Sequence, residues 1–177
     1  MNYNPFKSDT RNKYKQLGAY HWQWYYGKTS YIEGINLLKE WIVEKNVLDV
    51  GAGDGLIAHV LGIRGVDIDR DGIAAAKSMG MVVDFGDAIN LPYKDEEFDA
   101  VLMHDVFEHL EFPLKALAEA RRVLKSCLYI AVPHKEGDFY TDETKLKEMV
   151  EGVGFVLDGK VLVRNKKKQF FAKFKKI

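Results

Sequence analysis

A single cysteine, Cys127, in 177 residues leaves nothing for a disulfide framework and too few thiolates for a Cys-rich zinc module. Proline is scarce as well, with four in the whole chain, and no Gly-, Pro- or Ser-rich stretch offers a linker at which to divide it. No internal repeat is visible. No apolar run approaches the roughly 18 residues that a membrane span requires. The first residues, Met1 to Lys7, contain no apolar signal core. These absences predict a single soluble, cytoplasmic domain over residues 1–177, of a size that buries a substantial core. Net charge is absent too, since 26 basic residues balance 26 acidic ones. A zero sum argues against a nucleic-acid binder, yet it conceals segments of opposite sign. Residues 1–45 carry +3, 46–111 carry −10, 112–159 carry −1 and 160–177 carry +8.

What is present is a regular alternation. Residues 1–45 read as a cap segment, with an aromatic cluster (Tyr20, His21, Trp22, Trp24, Tyr25, Tyr26) followed by helical spacing at Ile35, Leu38 and Ile42. From residue 46 short apolar runs alternate with helical patterns. Strands are predicted at Val47–Val50, Ile63–Ile68, Met81–Phe85, Phe98–Met103 and Leu128–Val132, with helices at Leu56–Leu61, Gly72–Met79, Leu114–Leu124 and Thr144–Val153. Phe155–Val163 and Gln169–Ile177 read as a closing antiparallel hairpin. Such a succession predicts an α/β fold: a doubly wound, mostly parallel, seven-stranded Rossmann-like sheet with the hairpin at its edge and the helical, aromatic segment as a cap.

The strongest local signal is Val47-Leu48-Asp49-Val50-Gly51-Ala52-Gly53-Asp54-Gly55. A strand running into Gly-x-Gly-x-Gly and then a helix brings backbone N–H groups close to a ligand, where a Cβ would block the approach. The third glycine falls one residue early for the dinucleotide fingerprint. Asp67 ends the second strand, where a carboxylate can accept from both ribose hydroxyls, and Asp87 follows the third, where it can accept from an exocyclic amine. His104 follows the fourth strand. All of these sit at strand C-termini, the ligand edge of an open α/β sheet.

With VLDVGAGDG, GVDID, GDAINLPY, FDAVLMHDVFEHL, ARRVLK, AVP and FYTDETKLKEMVEGVGF in this order, the sequence resembles the class I S-adenosylmethionine-dependent methyltransferases of the small-molecule, type 11-like kind. The likeness runs from about Val47 to Phe155; Ser126-Cys127 stands where such proteins usually have glycines. The resemblance implies S-adenosyl-L-methionine as cofactor, with Asp49, Gly51, Ala52, Gly53 and Gly55 around its methionine part. It also implies Asp67 at the ribose with Ile68 beside the adenine, Asp87 at the adenine amine with Ala88 beside it, and His104 near the sulfonium. His104 and His134 are the candidate general bases, needed only where the acceptor must lose a proton. The aromatic segment reads equally as lid or as packing, with Tyr20 and His21 the candidate acceptor contacts. Asp105, Glu108 and His109 have i, i+3, i+4 spacing, but a helix-start carboxylate with local packing is favoured there over a metal site.

The acceptor expected is a small molecule. The paired prolines of adenine N-methylation are missing, and Cys127 begins a strand rather than ending one, which removes it from the reaction edge. RNA is the alternative acceptor, because eight basic residues and no acid lie in 160–177 with Phe170, Phe171 and Phe174 interleaved. The bland reading of that tail is a hairpin with an apolar face and a lysine face. A non-catalytic cofactor-binding regulatory module is the third reading.

Overall fold

The computed structural model describes residues 12–27, 29–133, 142–163 and 169–177. Three helices come first: α1 (Lys13–Leu17), α2 (Tyr20–Gly27) and α3 (Thr29–Trp41). Then follow β1 (Val47–Val50), α4 (Leu56–Leu61), β2 (Arg64–Asp67), α5 (Arg70–Ser78), β3 (Val83–Phe85) and β4 (Phe98–His104). A single 3-10 turn (Phe107–His109), α6 (Pro113–Val123), β5 (Leu124–Pro133), α7 (Glu143–Glu151), β6 (Phe155–Val163) and β7 (Gln169–Lys176) complete the described chain. The strands form one seven-stranded sheet in the order β3-β2-β1-β4-β5-β7-β6. The first five are parallel, and β7 pairs antiparallel with both β5 and β6.

The sheet is covered on both faces because alternate strand residues are apolar in both directions. Leu48, Val101, Met103, Leu128 and Ile130 pack with Leu117 and Val123 of α6 and with Leu146 and Val150 of α7. Val47, Ala100, Leu102, Cys127 and Tyr129 pack on the other side with Trp22, Ile35, Leu38, Leu56 and Ile57 of α2, α3 and α4. Helix starts follow local chemistry. Asp69 caps α5 by accepting from the Asp71 and Gly72 amides, Asp142 caps α7, and Pro113 opens α6.

Two features of the connectivity stand out. The alternation breaks between β3 and β4, where residues 86–97 cross over with no helix. That segment is held instead by Arg122, which donates to the carbonyls of Tyr93 (2.8 Å) and Leu91 (3.0 Å) and pairs with Asp95 and Glu119. Glu119 in turn accepts from the Leu91 amide at 2.8 Å. Second, the closing antiparallel hairpin is added beyond β5 at one edge of the sheet, as the sequence leads one to expect. β7 lies inside the sheet with apolar residues on both faces, Phe170 and Phe174 on one and Phe171 on the other, and β6 forms this edge as β3 forms the opposite one.

Candidate functional site

The C-terminal ends of β1, β2 and β4 open into a cavity of about 360 Å³ roofed by the N-terminal helices. Its floor is the loop after β1. Gly51 (φ +81°) and Gly53 (φ +53°) adopt left-handed backbone, which costs glycine little. A Cβ built on Gly51 would lie 1.8 Å from Val106 Cγ2, and one on Gly53 1.8 Å from the Tyr14 hydroxyl. The loop is therefore a cradle closed by Tyr14 from α1 and by Val106 after β4. Gly55 behaves differently. Like Gly53 it is left-handed (φ +74°) and is not among the residues lining the cavity, but its α-carbon faces Ala76, Met81 and Val83, whose atoms would lie 3.2–3.3 Å from a Cβ. Its glycine serves the packing of α4 and α5 against the sheet.

Asp49 is buried at the floor with its Oδ2 unbonded. Burial, with the Asp67 charge second, raises its pKa from 3.8 to about 8. Asp67 ends β2 and accepts the Gly53 amide at Oδ2 and the Asp69 amide at Oδ1, both at 2.7 Å. Burial raises its pKa to about 6 against the lowering effect of those amides. Each of its oxygens keeps a lone pair for a further donor. Ile68, Asp87 and Ala88 also line the cavity, and Asp87 Oδ1 fixes its own loop by accepting the Ile89 amide at 3.1 Å. His104 is buried at the end of β4, its ring between Tyr31 (centroids 6.5 Å apart) and Phe171 (6.2 Å). His134 lies outside the described residues.

The aromatic segment divides between roof and core. Trp22 is core and donates its indole N–H to the Asp54 carbonyl at 2.9 Å. Tyr20, His21 and Trp24 line the cavity together with Tyr31. His21 is also a latch: its backbone N–H donates to Asp54 Oδ2 at 3.0 Å, and its Nδ1 lies 3.2 Å from Asp54 Oδ1. Asp54, 1% exposed, thus fastens α2 onto the glycine loop. Sequence reasoning missed Tyr14, Tyr31 and Asp54. Their partners are far away along the chain: Gly53 for Tyr14, His104 for Tyr31 and His21 for Asp54.

The stretch after β4 does not present its acids on one helix face. Asp105 stands outside the 3-10 turn in left-handed backbone (φ +52°), and its two carboxylate oxygens accept from Gln169 Nε2 at 3.2 and 3.1 Å. The tail also departs from the basic, aromatic strip expected for RNA. Phe170, Phe171 and Phe174 are at most 2% exposed, so none offers a stacking face. Lys173, Lys175 and Lys176 pair with Glu44, Asp158 and Glu96, and Lys160 pairs with Glu143. Arg164 and Lys166–Lys168 lie outside the described residues.

Comparison with known proteins gives a consistent result. Residues 48–131 match the model of a family described as a methyltransferase domain. An uncharacterized protein of Methanocaldococcus jannaschii is 40% identical over 96 residues, 54% of this chain and 47% of that protein. Ajmaline N-methyltransferase of Rauvolfia serpentina is 35% identical over 124 residues, 62% of this chain and 43% of that enzyme. The chain therefore matches less than half the length of these relatives. In fold it is similar to a Thermotoga maritima SAM-dependent methyltransferase described as a possible histamine N-methyltransferase. The TM-score is 0.78 at 21% identity, covering 93% of this chain and 98% of the other.

Proposed function

We propose that this chain is a class I S-adenosylmethionine-dependent methyltransferase that transfers a methyl group to a small-molecule acceptor. The observation that carries the reading is the enclosed cavity at the ends of β1, β2 and β4, with the glycine cradle on one side and an aromatic roof on the other. The residues present fit the cofactor. An unbonded buried carboxylate oxygen on Asp49 and an acidic lining suit a cation, and Gly51 and Ala52 line the cavity beside them.

In this reading Asp49, Gly51, Ala52 and Gly53 hold the methionine part. Asp67 accepts from the ribose hydroxyls with Ile68 beside the adenine, and Asp87 accepts the adenine amine with Ala88 beside it. S-adenosylmethionine supplies a methyl carbon already activated by its positive sulfur. The protein's task is then alignment and exclusion of water. Tyr14 and the Asp54–His21 latch hold the roof over the loop, which keeps solvent from the cradle. His104 stands at the end of β4 between the cofactor and acceptor sides and is the candidate proton acceptor, with His134 the alternative. Tyr20 and His21 face the acceptor side.

RNA is the weaker reading, because the described lysines of the tail are ion-paired and its phenylalanines are buried. Calorimetric titration of the full chain with S-adenosylhomocysteine and with NADH tests the proposal. Micromolar binding of S-adenosylhomocysteine, lost in Asp49→Ala, is expected. Binding of NADH alone would overturn it. Salt-sensitive retention of RNA at low ionic strength would move the acceptor to the polymer class.

A further inference from the structure

We propose that Asp105 and Gln169 are positioning residues for His104. They hold its ring with Nδ1 toward a fixed carboxylate, so that Nε2 takes the proton of the acceptor. The inference rests on the methyltransferase reading above and deepens it.

The register of the sheet brings the three residues together. His104, the last residue of β4, pairs with Ala131 of β5, and the next amide, that of Asp105, donates to the Ala131 carbonyl at 2.8 Å. β7 runs antiparallel to β5, so its first residue, Gln169, pairs with Pro133 at the same end of the sheet. Gln169 is 4% exposed, and its Nε2 donates to both Asp105 oxygens, at 3.2 and 3.1 Å. Held there, Asp105 Oδ2 lies 3.8 Å from His104 Nδ1, an ion-pair distance once the ring is protonated.

Two features show that the arrangement is maintained against strain and crowding. Asp105 sits at φ +52°, left-handed backbone that a non-glycine residue keeps only where its surroundings hold it. Helix α3 has a glycine, Gly34, where a Cβ would lie 3.3 Å from Gln169 Oε1 and 3.3 Å from the Phe171 ring. The missing side chain leaves room for two residues of β7, Gln169 behind the carboxylate and Phe171 beside the His104 ring, with centroids 6.2 Å apart.

The chemistry follows from the order His104, Asp105, Gln169. A carboxylate facing Nδ1 favours the tautomer with the proton on Nδ1, which makes Nε2 the basic nitrogen. An acceptor group that must lose a proton gives it to Nε2. Its electron pair forms the bond to the methyl carbon, and the electrons of the broken carbon–sulfur bond stay with sulfur. The positive charge thereby passes from sulfur to the imidazole, where the Asp105 carboxylate stabilises it. Gln169 donates without carrying a charge, so it fixes the carboxylate and does not neutralise it.

The test is nitrogen-15 NMR of the histidine side chains in the full, ligand-free chain, with the His104 signal assigned by its loss in His104→Gln. In the wild type the neutral ring is expected in the Nδ1–H form. Asp105→Asn tolerates the left-handed backbone and still offers a carbonyl to Gln169. There the titration midpoint of His104 should fall by about one unit, a 10-fold loss of proton affinity. Gln169→Leu should move it the same way by less and reduce the share of the Nδ1–H form. Other titratable groups of the cavity wall are Tyr20 and His21 of α2, Tyr31 of α3, Asp49 of β1, Asp54 of the glycine loop and Glu108. They are common to all three proteins and cancel in the comparison. An Nε2–H tautomer in the wild type, or a midpoint unmoved in Asp105→Asn, overturns the inference. A midpoint moved by Asp105→Asn but not by Gln169→Leu overturns the part given to Gln169. Calorimetry of the wild type with S-adenosylhomocysteine separates the two readings: failure to bind overturns the methyltransferase reading, and with it the use made of the proton.

Discussion

Replacing Asp49 with asparagine should stabilise the ligand-free protein while destroying its site. Asp49 is 2% exposed in the middle of β1, its Oδ2 has no hydrogen-bond partner, and burial raises its pKa from 3.8 to about 8. Below the unfolded value both states carry the proton. Between that value and about 8 the folded state retains a proton that the unfolded chain has released, so stability falls as pH rises. Above the folded value the slope vanishes and the full cost is present. Each pKa unit is worth about 1.4 kcal/mol, so a displacement of about four units sets a ceiling of about 5–6 kcal/mol at high pH. Over pH 5.5 to 8 the part traversed is about 3 kcal/mol.

Asparagine has the shape of aspartate but no charge, so it removes this pH-dependent cost. Urea unfolding of the ligand-free chain, followed by tryptophan fluorescence at several pH values, measures it. The stability of Asp49→Asn relative to wild type should grow by about 3 kcal/mol between pH 5.5 and 8. Thermal midpoints should diverge by roughly 6–12 °C for a domain of this size. Addition of S-adenosylhomocysteine should reverse the order, because only the wild type retains the carboxylate that the ligand's ammonium needs. Parallel stability curves for the two proteins would refute the reasoning, since they would mean that Asp49 is ionised in both states.

Three further perturbations probe the rest of the site. Asp54→Ala removes the acceptor of the His21 amide and ring but leaves the Trp22 bond to the main-chain carbonyl. Hydrogen exchange across residues 20–27 should accelerate by about 10- to 100-fold with a matching loss of S-adenosylhomocysteine affinity, and unchanged exchange would show that the latch contributes nothing. Gly51→Ala places a Cβ 1.8 Å from Val106 Cγ2 at φ +81°; a loss of about 2–5 kcal/mol in unfolding free energy is expected, together with loss of the site. Arg122→Lys keeps the charge but not the fork that grips the carbonyls of Leu91 and Tyr93. Chemical denaturation should register a loss of about 2–3 kcal/mol, and a loss below about 0.5 kcal/mol would mean the crossover holds itself.

Much of the fold is legible along the chain because its rules are local. Periods of two and about three and a half residues place β1, α4, β4, α6 and the hairpin within a few residues of their observed bounds. The crossover at residues 86–97 is less legible, since what orders it is Arg122, about thirty residues further on. The glycines show the limit within a single motif. Three identical residues two apart serve a close approach below Val106, a close approach below Tyr14, and the packing of α4 and α5, and nothing in their spacing distinguishes them.

The sequence by itself determined the layered α/β sheet, the glycine loop and the row of carboxylates at one strand edge, because each follows from hydrophobic period or from backbone sterics within a few residues. Tertiary structure alone decided which aromatic rings face the cavity and which support it. Trp22 and Trp24 are two residues apart on one helix and point to different surroundings. It also decided the partners that give the acids their roles: Asp54 with His21 across 33 residues and Asp105 with Gln169 across 64. The tail makes the same point. Its lysines and phenylalanines read as a surface until β7 is seated between β5 and β6, where the sheet buries the rings and the charges find neighbours. Side-chain type fixes what a residue can do, and only the assembled sheet fixes what it faces.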